Sequence, residues 1–241
     1  VVFVPDDVQI ISGGPTFRRN YLNSMIIQTQ AEYLQALNRY QKLLVQRNRL
    51  LYGIKNNLSV NRDQLFVYNL QMSLPIEQIY RHRYLIMEYL NSSLGEIYSS
   101  ISGGNDKIHI EYLPTLPKDK DDIIKSLEKH TETDIRLGFS SHGPHKDDFI
   151  INLNGLNTRS GFSRGENRSL TLALKAAELN FITSASGKSP ILLLDDVLSE
   201  LDVKRQSHLL DIAKKQQTII TSTAIDAELK DFNIINQKTN I

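Results

Sequence analysis

Apolar side chains between Arg18 and Lys55 recur at helical intervals. Tyr33, Leu37, Tyr40, Leu44 and Leu51 are separated by three, four and seven residues. That period puts them on one stripe, and the stretch reads as a long amphipathic helix ending near Gly53. A second helix follows Asn61-Arg62-Asp63. Pro75 is expected to end or kink it, because proline lacks a helical donor and restricts the residue before it. A third helix carries Ile76, Ile79, Tyr80, Arg83, Ile86, Met87, Leu90, Leu94 and Ile97 up to the loop "ISGGND" at 101–106.

Beyond that loop the period changes. "KIHIEYLP" at 107–114 alternates and reads as a strand, and Pro114 and Pro117 then break the chain. "DKDDIIKSLEKHTETDI" reads as a helix and "DDFIINLNG" at 147–155 as a strand and turn. "RSLTLALKAAELNFIT" at 168–183 is a helix, "PILLLDD" a strand, "LDVKRQSHLLDIAKK" a helix and "QTIITST" a further strand. Both strands are continuous apolar runs, which suit a parallel sheet buried on two faces. The final part therefore alternates helix and strand in a βαβ pattern. No internal repeat or low-complexity segment is present.

Composition narrows the class without naming it. The chain has 241 residues, 40% apolar and 23% charged, enough for one large domain or two lobes around a shared core. It has no cysteine, hence no disulfide framework or thiolate metal site, which suits a cytoplasmic setting. No apolar run approaches the roughly 18 residues of a membrane helix, so no membrane partner is expected. "VVFVPDD" has neither the basic nor the apolar region of a signal peptide, and a start on Val-Val without Met suggests a fragment.

Net charge is +1, but its distribution is uneven. Seven basic residues lie between positions 18 and 55, against one acid, Glu32. Arg18, Arg19, Arg39, Lys42, Arg47 and Arg49 are therefore candidates for DNA phosphates. The Arg18-Arg19 pair could instead meet acids of the same helical arm.

Two stretches suggest nucleotide chemistry, and only one survives inspection. Gly187-Lys188-Ser189 looks like the end of a phosphate loop, G-x-x-x-x-G-K-[ST]. Ile182 stands where the first glycine belongs, and the order is reversed: a helix precedes and a strand follows. A phosphate loop instead opens a helix, whose N-terminal N–H groups face the anion. The stretch therefore reads as an ordinary helix-to-strand connection. Asp195-Asp196 ends an apolar strand, where open α/β sheets bind ligands. One carboxylate there can hold Mg²⁺ and the next can orient an attacking water; a pair of solvated capping acids is the plain alternative. "FSRGENRSLTLALK" at 162–175 precedes that strand by one helix and "SELD" at 199–202 follows it. Ser163 and Gly165 open the helix, where a hydroxyl and backbone N–H groups can meet a phosphate or simply cap the helix.

His142 and His145 flank Gly143-Pro144, but two histidines without further ligands read as structural. Tyr33, Tyr40, Tyr52 and Tyr68 could stack on bases, although their helical spacing favours core packing.

Three motifs in order carry a resemblance. "PDDVQIISGGPTFRRNYLN" at 5–23, "SHGPHKDD" at 141–148, and "SRGENRSLTLALKAAEL" followed by "PILLLDDVLSELD" resemble the RecF family of bacterial DNA replication and repair proteins. Asp6 and Lys146 depart slightly, where Glu and Arg are commoner. The fold class this resemblance implies is α/β: the second half of an ABC-type ATPase core, with a mixed sheet and a mostly helical arm lobe. Residues 1–14 would end an N-terminal ATPase lobe, 15–133 form the arm, and 134–241 carry the signature helix and the C-terminal core. The family's N-terminal third, with its phosphate loop, would lie outside these residues. Ser163, Gly165, Glu166 and Arg168 would be signature residues meeting ATP held by an opposite subunit. Asp195 would serve Mg²⁺, Asp196 would take the catalytic-acid position, and Asp202 would be the loop aspartate linking two sites. Thr221 or Thr223, with Thr223 the choice for the nucleotide, would replace a switch histidine, which implies weak ATPase activity. The implied function is ATP-dependent dimerisation and binding to single- and double-stranded DNA at gaps or junctions, supporting recombinase loading with RecR and RecO as partners. An ATP-silent DNA-binding or dimerisation module and an ABC transporter subunit are the alternatives.

Overall fold

The computed structural model describes residues 1–157 and 161–222. A short strand β1 (Val2–Phe3) leads through a 3-10 turn (Pro5–Val8) to helices α1 (Gln9–Ser12), α2 (Pro15–Ile27), α3 (Ala31–Lys55) and α4 (Gln64–Ser102). Strand β2 (Ile108–Leu113), helices α5 (Lys120–Lys129) and α6 (Thr131–Leu137), and strands β3 (Asp148–Leu153) and β4 (Leu156–Asn157) follow. The chain continues through α7 (Arg164–Ser186), β5 (Leu192–Asp195), a 3-10 turn (Leu198–Glu200), α8 (Val203–Ala213) and β6 (Thr218–Thr221).

The α/β class holds, and the two senses of strand pairing fall in separate sheets. One sheet, in the order β1-β5-β6, is parallel throughout. The other, β2-β3-β4, is antiparallel. Helix α7 joins them through the core. From Ser169 to Leu179 every one of its residues is buried, the pattern of a helix packed on all sides. One apolar cluster runs from Phe3 through Tyr33, Ile79 and Leu94 to Phe149, Leu174, Leu192 and Leu209, so arm helices and sheets share a core.

Three expectations need correction. The basic stretch forms two helices rather than one, because Gln30 is extended (φ −129°, ψ 94°) and the Thr29 hydroxyl bonds back to the Ile26 carbonyl. Such local bonding competes with helix continuation. Helix α4 runs through Pro75 without ending. Met72, Ser73, Ile76 and Ile79 are fully buried around it and hold the helix in register. Gln71, whose carbonyl Pro75 leaves without its helical donor, is exposed to solvent. Finally, β5 and its neighbours bury one face only: Val2, Ile191, Leu193 and Ile219 are exposed.

Gly187 ends α7 as a left-handed C-cap (φ 66°), with its N–H on the Thr183 carbonyl. Gly187-Lys188-Ser189 thus sits at the carbonyl end of a helix, which repels rather than attracts phosphate.

Candidate functional site

Strand β5 delivers Asp195 to the solvent-exposed C-terminal end of the parallel sheet. On the adjacent strand, the Thr221 hydroxyl donates to Asp195 Oδ1 at 2.6 Å. Asp196 follows in the left-handed region (φ 50°), uncommon for a residue with a side chain. Its N–H is shared between the Thr221 carbonyl at 3.1 Å and the Thr221 hydroxyl at 3.2 Å. Thr221 thus contacts both residues of the Asp195-Asp196 pair. Thr223 lies outside the described residues.

Helix α7 opens with a reciprocal capping box. The Ser163 hydroxyl accepts from the Glu166 N–H at 3.2 Å, and Glu166 Oε2 accepts from the Ser163 N–H at 2.7 Å. Ser163 is exposed, and Gly165, Glu166 and Arg168 occupy the first turns, half-buried. Asp202 caps α8 in the same manner, accepting from the Arg205 N–H at 3.0 Å. That backbone bond, then the nearby Arg205 charge, lowers the Asp202 carboxyl below its usual range. Arg205 also bonds back to α7, a link that sequence spacing does not reveal.

The residues fit a hard cation only in one way. Among the described residues no group of three or more His, Cys, Asp or Glu converges on a point. Mg²⁺, however, is commonly held by one or two carboxylates together with phosphates and water. Exposed Asp195, oriented by a hydroxyl, suits that role, whereas a cage made of protein ligands alone is not present there.

The expected DNA contacts divide sharply. Arg39, Lys42 and Arg49 are exposed on α3. With Gln35 and Gln46 they recur at steps of four, three, four and three, forming one outward stripe. Arg47, two residues from Arg49, is fully buried. Its guanidinium donates to Asp134 Oδ2 and Ser140 Oγ, each at 2.7 Å, and to Asn69 Oδ1 at 3.1 Å. Arg18 is also buried, in a bidentate pair with Asp148 at 2.7 and 3.0 Å. Arg19 donates to the Asp147 carbonyl at 2.8 Å and to Thr16. The paired arginines and the paired aspartates of two distant motifs are thus partners of one another.

Asp147 is the centre of this network and is fully buried. Its carboxylate accepts from Arg83 at 3.0 Å, Tyr112 at 2.6 Å, Tyr80 at 3.3 Å, and the Thr115 N–H and hydroxyl at 2.8 and 2.9 Å. Burial, and after it the Asp147 charge, pushes the Tyr80 phenol far above its usual range. His145 is structural, lying between the Tyr40 hydroxyl at 2.6 Å and the Ser140 carbonyl at 3.0 Å. The intervening Gly143 is obligatory: φ is 133°, and a Cβ would lie 2.4 Å from the Tyr40 oxygen. His142 stacks on His130 with ring centroids 3.6 Å apart, so their in-plane lone pairs do not converge on one ion. Tyr33 and Tyr40 are core residues and Tyr68 is partly buried, but Tyr52 is 61% exposed, against the expectation of packing.

No family model matches the chain. Curated relatives do. The chain is 36% identical over 246 aligned residues to the DNA replication and repair protein RecF of Clostridium perfringens (strain SM101 / Type A), covering 98% of this chain and 67% of that protein. It is 37% identical to the RecF of Agathobacter rectalis, covering 96% of this chain and 63% of that one. Among solved structures, the recombination mediator protein RecF with ATP, of the RecFOR pathway, superposes with a TM-score of 0.85 at 32% identity. That match covers 94% of this chain and 62% of the solved one. The chain thus spans a little under two thirds to two thirds of the length of these relatives.

A parallel sheet with carboxylates at its C-terminal end, a capped central helix leading into it and a mostly helical arm make up an α/β fold that superposes on the solved RecF. The chain belongs to the RecF family of DNA replication and repair proteins.

Proposed function

We propose that this chain is part of an ATP-dependent DNA-binding head that acts as a recombination mediator. The observation that carries the reading is the set of exposed groups at one kind of position. Ser163 and Asp202 begin helices, and Asp195 ends a parallel strand. Helix N-termini favour anions, and a strand-end carboxylate favours the cation that accompanies them. The solved RecF relative was determined with ATP, which supports the same ligand here.

In this reading the Ser163 hydroxyl and the first N–H groups of α7 meet the γ-phosphate of ATP held by a second copy. Asp195 holds Mg²⁺, which when bound neutralises charge on the phosphates. The Thr221 hydroxyl fixes the orientation of that carboxylate. Asp196 orients the attacking water, and a threonine in place of an imidazole keeps hydrolysis slow. DNA lies along Arg39, Lys42 and Arg49, ten residues that span about 15 Å of helix. Arg18, Arg19 and Arg47 instead support the fold. RecR and RecO are the expected partners, and recombinase loading at gaps or junctions is the expected outcome.

Ser163→Arg in the full-length protein tests the reading. It sets a bulky cation at the shared contact. A fluorescent ATP analogue should still bind one subunit, while sedimentation with ATP should no longer detect a dimer. A variant that dimerises like the parent would overturn the reading.

A further inference from the structure

Arg205 lies in the first turn of α8, and its side chain is only 21% exposed. All three guanidinium nitrogens have partners. Nη1 donates to Asp202 Oδ2 within its own turn. Nε donates to Ser169 Oγ at 2.8 Å and Nη2 to the Gly165 carbonyl at 3.2 Å. The last two acceptors belong to α7, so one side chain ties the turn that begins with Ser163 to the loop that ends with Asp202.

Packing leaves space beside this tie. A cavity of about 300 Å³ is lined there by Thr171 and Leu172 of α7 and by Val197, Leu201 and Leu209. Leu172 and Leu209 also belong to the apolar core, and the polar link adds a contact of fixed direction to that packing. A guanidinium suits it: its planar fork presents donors in several fixed directions, whereas an ammonium is a point charge.

We propose that Arg205 is a positioning residue that presents the Ser163 turn and the Asp202 loop as one rigid surface, so that a copy docking on either displaces or orders both together. The role in docking rests on the nucleotide reading given above; the mechanical tie does not.

Amide hydrogen exchange and association separate these two parts. In this chain, Arg205→Gln should speed exchange at Glu166–Leu170 about tenfold and leave the half of α7 beyond Ala177 unchanged, as local opening predicts. Arg205→Lys should behave like Arg205→Gln, because one ammonium cannot span three acceptors. In the full-length protein both variants should weaken ATP-driven association about tenfold while ATP affinity of the single subunit stays at the parental value, the split expected of a positioning role. Unchanged exchange in Arg205→Gln, or parental behaviour in Arg205→Lys, overturns the proposal. Should Arg205→Gln fail to fold, Ser169→Ala removes one acceptor and should speed exchange by about threefold; no change there also overturns it. If the parental protein itself shows no ATP-driven association, the nucleotide reading fails, and the exchange measurement still decides whether Arg205 makes the tie.

Discussion

Asp147-Asp148 and Asp195-Asp196 are the same dipeptide at opposite ends of a strand, and the fold treats them oppositely. The first pair begins β3, where Arg18, Arg83, Tyr80, Tyr112 and Thr115 converge on it from α2, α4, β2 and the segment after β2. The second pair ends β5, where Asp195 is exposed and takes a hydroxyl from Thr221. A carboxylate saturated by its own chain has no lone pairs left for a ligand, whatever motif it belongs to. One delivered to the exposed C-terminal end of the sheet retains them. The difference lies in the supply of donors, not in the residue type.

The largest test of this contrast is a matched pair of substitutions. Asp147→Asn leaves the Arg83 guanidinium buried without its counter-charge, and removing one partner of such a pair costs about 3–5 kcal/mol. Urea denaturation of this chain should report that loss. Asp195→Asn should change stability by less than about 0.5 kcal/mol, as for surface substitutions generally. In the full-length protein it should lower phosphate release instead. Equal stability losses in the two variants would remove the distinction drawn here.

Arg47 and Arg49 repeat the comparison on one helix. Asp134 keeps the Ser141 N–H and hydroxyl at 2.9 and 2.6 Å when Arg47 is removed, which offsets part of the loss. Arg47→Gln should therefore cost about 2–3 kcal/mol. Arg49→Gln should leave the urea midpoint unchanged and flatten the salt dependence of DNA binding by about one unit of log slope. A parental slope in Arg49→Gln, with Arg39→Gln and Lys42→Gln also without effect, would move the DNA surface off α3.

What was legible in the sequence follows from how far each interaction reaches. The strands β2, β3, β5 and β6 and helix α7 lie where period and apolar run placed them, because those signals are local. Capping by Ser163 was also readable, since Ser and Glu stand three apart. The break before Gln30 was not: Ile26 and Tyr33 are both buried and seven apart, so the apolar phase continues across it. The pairing of Arg18 and Arg19 with Asp147 and Asp148 has no local trace. Opposite charge in two distant motifs is its one signal, and the alternative partners the sequence offers, acids of the arm itself, are not the ones the fold uses. Arg205 stands three residues from Asp202, so half of its role was visible, but its reach to Gly165 and Ser169 required the fold. The exposed face of β5 was hidden for a different reason. A continuous apolar run reports hydrophobicity on both faces, not whether the described residues cover both.

The smallest expected effect concerns pH and falls on the buried network. Burial pushes the His145 imidazole below its usual pKa, and the Ser140 carbonyl opposes this only in part. Its neutral form accepts from Tyr40 at Nδ1 and donates to Ser140 at Nε2. The unfolded chain takes up a proton near pH 6.5, above the folded value. Between these values the unfolded state binds more protons, so stability rises with pH and is lost as pH falls through the unfolded value toward the folded one. His82, His142 and His208 are also shifted down by burial and act in the same direction. The parental chain should therefore lose stability when the pH is lowered from about 7.5 to 5.5, across the ordinary histidine range. A glutamine at this position can accept from Tyr40 and donate to Ser140 without titrating. His145→Gln should therefore reduce that acid loss. The check is urea midpoints for parent and variant at the two pH values. A His145→Gln curve as steep as the parent's would show that the buried network contributes nothing to acid sensitivity through this residue.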